Sequence, residues 1–308
     1  MSFQEQERAM FDLLFDQRLR GHFCRDAEQA LESYELSAEE LADFAAIRPD
    51  ALEIDAKMRR GFLLTHICRA YPLSFSIVCS LDGGRDILKS LVDSQTVRAN
   101  SLERPGLYGT RLRERLSNLS FDRANEQTMT LAIVEAELSM SLIAASLKKQ
   151  VLESAHAPAP VAEIGPDWSA KSIKLAAHVG AAIIPQPYAD MKRKFCPVAD
   201  SELWTHLAQN TLSRSERRAV MENENRRLFF ARARISQFSH CDPTVDFQTM
   251  ELSDGFAPLF QHVDGHNSSD TIFRQLAQAG ADDKILAGVK AGFLQLLQNG
   301  MLEFSVNS

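Results

Sequence analysis

The residues able to do chemistry in this chain are few, and their spacing keeps them apart. His22 and Cys24 stand two residues from each other, as do His66 and Cys68. On a helix such neighbours point about 200° apart, so neither pair closes on one metal ion. His262 and His266 have the i, i+4 spacing that chelates on a helix face, but Asp264-Gly265 between them is a turn signal that ends the helix first. His240-Cys241 offers two adjacent donors and no more. The five cysteines (Cys24, Cys68, Cys79, Cys196, Cys241) contain no CxxC pair and read as free thiols, most of them small buried groups. There is no Walker loop, no GxGxxG behind a strand, no HExxH and no GxSxG. The chain is therefore expected to hold no catalytic residue, no metal and no cofactor of its own, and not to be an enzyme by itself.

Composition narrows the setting. The 308 residues carry 34 Lys and Arg against 41 Asp and Glu, a net charge of −7 that argues against a general nucleic-acid or anionic-membrane binder. No run of eighteen uncharged apolar residues is present, so no membrane span is expected. The start, Met1-Ser2-Phe3-Gln4-Glu5, lacks the basic and apolar regions of a signal peptide. A cytoplasmic protein is expected.

The elements that must position any site divide in two. Phe11, Phe15, Leu19 and Phe23 recur every four residues and predict one amphipathic helix, with Asp12, Gln17 and Arg20 outside the stripe. Ser37-Ala-Glu-Glu40 is a capping box. Asp50 is read as the cap of a third helix whose apolar residues are Leu52, Ile54, Met58, Phe62 and Leu63. Asp82-Gly83-Gly84-Arg85 is a turn. The longest helix, from about Phe121 to Val151, has so little polar surface that it should be central, and Glu135 and Glu137 then need partners. Ala157-Pro158-Ala159-Pro160 is the best domain boundary, because proline continues neither a helix nor a ladder. Beyond it, Ile173–Ile184 reads as a strand or short connection, a helix holds Trp204 and Leu207, and strands cover Leu228–Ile235 and Val245–Leu252. Three short helices (Asp254–Val263, Ser269–Ala279, Asp282–Gln298) and a strand, Met301–Val306, end the chain.

The fold class expected is α+β. An all-α helical domain (1–152) is followed by a Pro/Ala-rich linker (153–168) and a winged-helix-like domain (169–308). Charge then argues about that second domain. From Asp190 to Arg234 ten Lys and Arg face six acids, while from Ile235 onward three basic residues face nine. The last helix opens with Asp282-Asp283 and offers only Lys284 and Lys290, so it repels phosphate where a DNA reader needs to attract it. What remains is peptide binding by strand addition. The expected edge is Val245–Leu252, with Val245, Phe247, Thr249 and Glu251 on it. The expected wall is the last helix, through Leu286, Val289, Lys290, Phe293 and Leu297.

Val245–Leu252, then Phe256–Gly265 with its closing Asp-Gly, then Val289–Leu302 with its Gly-Met-Leu end, resemble the recognition-element domains of ribosomal peptide natural-product pathways. Leu131-Ala-Ile-Val-Glu-Ala136, the Pro/Ala-rich stretch and Ile173-Lys-Leu175 look like the partner subunits of multinuclear non-heme iron oxidative enzymes of the methanobactin and 3-thiaglutamate pathways. Phe11–Phe44 is instead similar to the small helical subunit of extradiol ring-opening dioxygenases, an accessory that covers a catalytic subunit's site. The resemblance implies a non-catalytic subunit in a heterodimer. It would bind a precursor peptide's leader and present it to an iron enzyme, the iron lying in that partner. The alternatives are a helical dioxygenase accessory and a winged-helix transcription regulator.

Overall fold

A computed structural model describes residues 3–121, 123–154, 163–210, 212–221, 225–239 and 243–305. The Pro/Ala stretch Ala157–Pro160, the His240-Cys241 pair and Val306 lie outside the described residues.

The N-terminal region is helical, as the periodicity predicts, with helices Phe3–Phe15, Gln17–Phe23, Ala27–Leu31, Ala38–Ala45, Pro49–Ala70, Pro72–Cys79, Gly84–Ser90, Ser94–Arg98, Arg104–Ser117 and Ala124–Ser154. The expected single helix through Phe11 and Phe23 is two. Asp16 turns extended (φ −95°, ψ 107°), and its carboxylate accepts from the amides of Arg18 and Leu19, so a capping residue overrides the four-residue stripe. The restart rotates Arg20 inward. It is 3% exposed, and its guanidinium donates to the Leu13 and Leu14 carbonyls at 3.0 Å and to Glu53 at 2.7 Å. Ser37 and Glu40 form the expected capping box.

Two further corrections concern the third expected helix. Pro49 occupies its first turn and Arg48, not Asp50, is the cap residue. Leu52, Ala56, Leu64 and Ile67 are buried, whereas Ile54, Met58 and Phe62 are 58%, 67% and 67% exposed. This helix is apolar on several faces, so its neighbours choose which face is buried. The Ala124–Ser154 helix is central, as predicted. It is also long and apolar enough to cross a membrane, which the sequence reading did not allow for. Here Ile133, Val134, Leu138, Leu147 and Val151 are buried against protein.

Six strands follow: β1 Ser172–Leu175, β2 Val179–Ile184, β3 Arg227–Gln237, β4 Thr244–Ser253, β5 Asp264–Ser268 and β6 Leu302–Phe304. They make two antiparallel sheets, ordered β5-β1-β6 and β2-β3-β4. The run Ile173–Ile184 is thus two strands in different sheets. The chain changes sheet at His178, whose φ of 58° is a left-handed turn conformation. Asp254–His262, with Pro258 inside it, is a 3-10 helix rather than an α-helix. Helices Ser269–Gln278 and Asp283–Gln298 stand where expected, and Asp264-Gly265 begins β5.

β3 positions everything else. Phe229, Ala231 and Ala233 face the helical region, the first two within a cluster that holds Ile67, Phe75, Val134 and Trp204. Leu228 and Phe230 face the other way, into a cluster with Ile272, Phe293, Leu296 and Met301. Over Leu228–Ala231 both faces of one strand are dry, while Arg234, Ser236 and Gln237 further along are exposed.

Gly61 sits inside the Pro49–Ala70 helix, and a Cβ built there meets nothing within 4 Å. Gly61→Ala should therefore raise the unfolding free energy by about 0.5–1 kcal/mol. Urea denaturation checks this, and a loss of stability would show an unseen close approach.

Candidate peptide-binding edge

β4 pairs with β3 over its length, from Arg227↔Ser253 to Gln237↔Thr244, with a register irregularity between Ile235 and Gln237. In the sheet order it is terminal, so its second side carries no strand among the described residues. Every residue in it is half-buried or exposed, as suits a strand covered on its faces but open at its rim. An antiparallel edge of this kind leaves alternate amides and carbonyls pointing outward.

The four residues expected on this edge share one face. Val245 and Phe247 pack with Leu147 and Val151 of the central helix, alongside Ala233 and Ile235. Thr249 is exposed opposite Ala231. Glu251 Oε1 accepts from the Tyr188 amide at 2.8 Å, and burial, the largest influence on it, raises its carboxyl above the usual range. The intervening residues face the closing helices. Met250 and Leu252 pack into the cluster of Phe230 and Phe293, and Gln248 Nε2 donates to Asn299 Oδ1 at 2.8 Å.

That alternation corrects the expected groove. Val289, Phe293 and Leu297 lie in the core on the other side of the sheet, Leu286 is half-buried, and Lys290 is exposed with its Nζ 5.4 Å from the Phe273 ring centre. The wall residues and the edge residues are thus separated by the sheet and do not line one cleft. Strand period decides this: side chains two apart share a face, and those one apart do not.

What holds the edge in place was only partly visible in the sequence. Tyr188 opens the helix Tyr188–Phe195, stacks on Phe229 with ring centres 5.0 Å apart, and donates its hydroxyl to Glu137 at 3.0 Å. Glu137 was expected to need partners and has four. Oε1 also accepts from the Leu73 amide (2.9 Å), while Oε2 accepts from the Ser74 amide (2.9 Å) and hydroxyl (2.6 Å). Burial pushes its carboxyl up to about 7, against the opposing pull of those donors. Glu135, by contrast, is exposed. One of the ten basic residues, Arg217, is also buried. Its guanidinium donates to Glu126 at 2.7 Å and to the Ser80 carbonyl at 2.7 Å, so that residue does not belong to a solvated face.

Among the described residues the thiols and imidazoles stay scattered. Cys68, Cys79 and Cys196 are buried, and burial pushes their thiols well above the ordinary range, to about 12 for Cys79 and Cys196. Cys24 is exposed, and His22 faces Gln29 at 3.1 Å. His66 is exposed against Phe62, and His262 and His266 fall in different elements. Among the described residues no three His, Cys, Asp or Glu side chains gather as metal ligands would. Comparison with protein-family models, curated proteins and solved structures finds no match to this chain.

The Glu137 network yields a pH prediction. Between about pH 4.5 and about pH 7 the folded chain keeps a proton here that the unfolded chain has released. This group's contribution is therefore most favourable at low pH and declines as pH rises through that window. In paired urea denaturations, the stability advantage of wild type over Glu137→Gln should shrink from about pH 5 to about pH 8. An advantage that grows would contradict the assignment. Glu137→Ala strands four donors and should cost about 3 kcal/mol or more.

Proposed function

We propose that this chain is a non-catalytic peptide-binding subunit. It takes up an extended segment of a ribosomally made precursor peptide along β4 and presents it to a partner oxidative enzyme that carries the iron. One observation carries the reading: a ten-residue strand, fastened on both faces, has one ladder filled and the other open. A peptide strand added there gains backbone hydrogen bonds without displacing anything already paired. The small sheet supports the same reading. β5, helices Ser269–Gln278 and Asp283–Gln298, and β6 follow one another with β1 between the two strands, an order resembling a winged-helix-like recognition element.

In this role the peptide's leader is held at β4 while its core extends to the partner. Tethering raises the effective concentration of the core at the distant iron, so a subunit with no reacting group is still required for turnover. Because the bonds formed are backbone to backbone, affinity should depend little on salt, unlike that of a nucleic-acid binder.

Adjacent amides along β4 alternate between β3 and the open rim. Of Gln248→Pro and Thr249→Pro, one therefore breaks the existing ladder and the other removes only a rim donor. Thermal melting identifies the variant that stays folded. Fluorescently labelled short peptides encoded beside the gene should bind that variant about fivefold more weakly than wild type, the worth of roughly 1 kcal/mol. Equal affinity in the folded variant would remove β4 from the binding surface.

A further inference from the structure

Away from β4, the helical region contains a cavity of about 1360 Å³ lined in part by Phe15, Leu64, Val92 and Trp204, with charged side chains around it. Its charges do not cancel. Glu53 is taken by Arg20 at 2.7 Å and Lys57 at 3.4 Å. Asp93 is held from outside the lining by Arg111, through contacts of 2.7 and 2.5 Å. Asp86 lies 3.6 Å from Lys89, and Asp16 caps its helix through the Arg18 and Leu19 amides. In the lining five cations (Arg18, Arg20, Lys57, Arg60, Lys89) face four acids, an excess of one in a chain whose net charge is −7, and one of those acids, Asp93, is already neutralised from outside by Arg111.

The excess has an address. Among the described residues Arg60 makes no ion pair, and its buried Nε finds no hydrogen-bond partner. Burial, and then the positive charge of Arg20, both disfavour its protonated form, and Glu53 only partly compensates. Arg18, exposed and with no side-chain partner among the described residues, lines the same space. A guanidinium half removed from water beside a like charge is costly unless an anion joins it. Guanidinium groups also present the forked donors that phosphate and carboxylate accept. Gly61, next to Arg60 and on the same wall, has open space where a side chain would begin.

We infer that this cavity is a binding site for a small anionic ligand whose recognised group is a phosphate or a carboxylate, received by Arg60 with Arg18. The site is separate from β4, so the failure of either assignment leaves the other standing.

The test is calorimetric titration of the full chain at fixed ionic strength with inorganic phosphate, with citrate, and with chloride as control. Saturable binding of phosphate alone assigns a phosphate ligand, and of citrate alone a carboxylate ligand. Binding of both assigns the group they share, an oxyanion of either kind. In each case Arg60→Gln should weaken binding about tenfold or more, since a hydrogen bond to a charged group is lost. Gly61→Glu, which plants a competing carboxylate on the wall, should weaken it as well. Unliganded Tm values show that both variants are folded. Should neither anion bind more than chloride does at millimolar concentration, or should both folded variants bind like wild type, the inference is overturned.

Discussion

A strand buried on both faces is the constraint on which this architecture depends. Phe229, Ala231 and Ala233 of β3 close the helical core, while Leu228 and Phe230 close the core beneath the last two helices. Along Leu228–Ala231 β3 therefore has no solvated side, and the two cores cannot be separated without exposing one of its faces. Its neighbours inherit that position. β2 lies so close to the central helix that a Cβ on Gly180 would meet Ser139 Oγ at 2.1 Å, and β4 is left at the rim. The open edge is a consequence of how β3 is held.

Buried polar groups fix the alignment of these layers. Apolar contacts tolerate small slips, but Glu137 satisfies the Pro72–Cys79 helix amides and Tyr188 together in one geometry. Through the Tyr188 amide the chain of bonds continues to Glu251 on β4. Arg217 does similar work between Glu126 and Ser80. Each such pair costs desolvation and returns it only when the register is right.

Much of the fold was legible because local rules and packing agree there. The Ser37–Glu40 box, the strands β3 and β4, and the last helix from Asp282 were read from residue types alone, and the helical start with a mixed end follows from periodicity. The misses came where one residue outvoted a pattern. Asp16 stops a helix that four apolar residues would continue, and His178 bends a run that otherwise reads as one strand. Ile54, Met58 and Phe62 keep the helical spacing yet remain exposed, because spacing alone cannot tell which of several apolar faces has a neighbour. The Arg60 cavity gave no signal at all, being assembled from residues between Phe15 and Ala208 that only the fold brings together.

The expected groove failed for an instructive reason. The run Leu228-Phe-Phe-Ala is continuously apolar, which already indicates a strand covered on both sides. Once β3 has two faces, its partner β4 must also send alternate residues to opposite cores, so no helix on one side can serve Val245 and Phe247 on the other. The edge survives that correction because it is defined by backbone, not by side chains. Natural edges are usually guarded by proline, lysine, bulges, inward-turned charges or brevity. β4 has ten residues and neither proline nor lysine, and its acids are Asp246 and Glu251, the second of which is already bonded inward to Tyr188. Its guards sit at the two ends, Glu251 at one and the register irregularity between Ile235 and Gln237 at the other, so the ladder between them is the stretch most open to strand pairing.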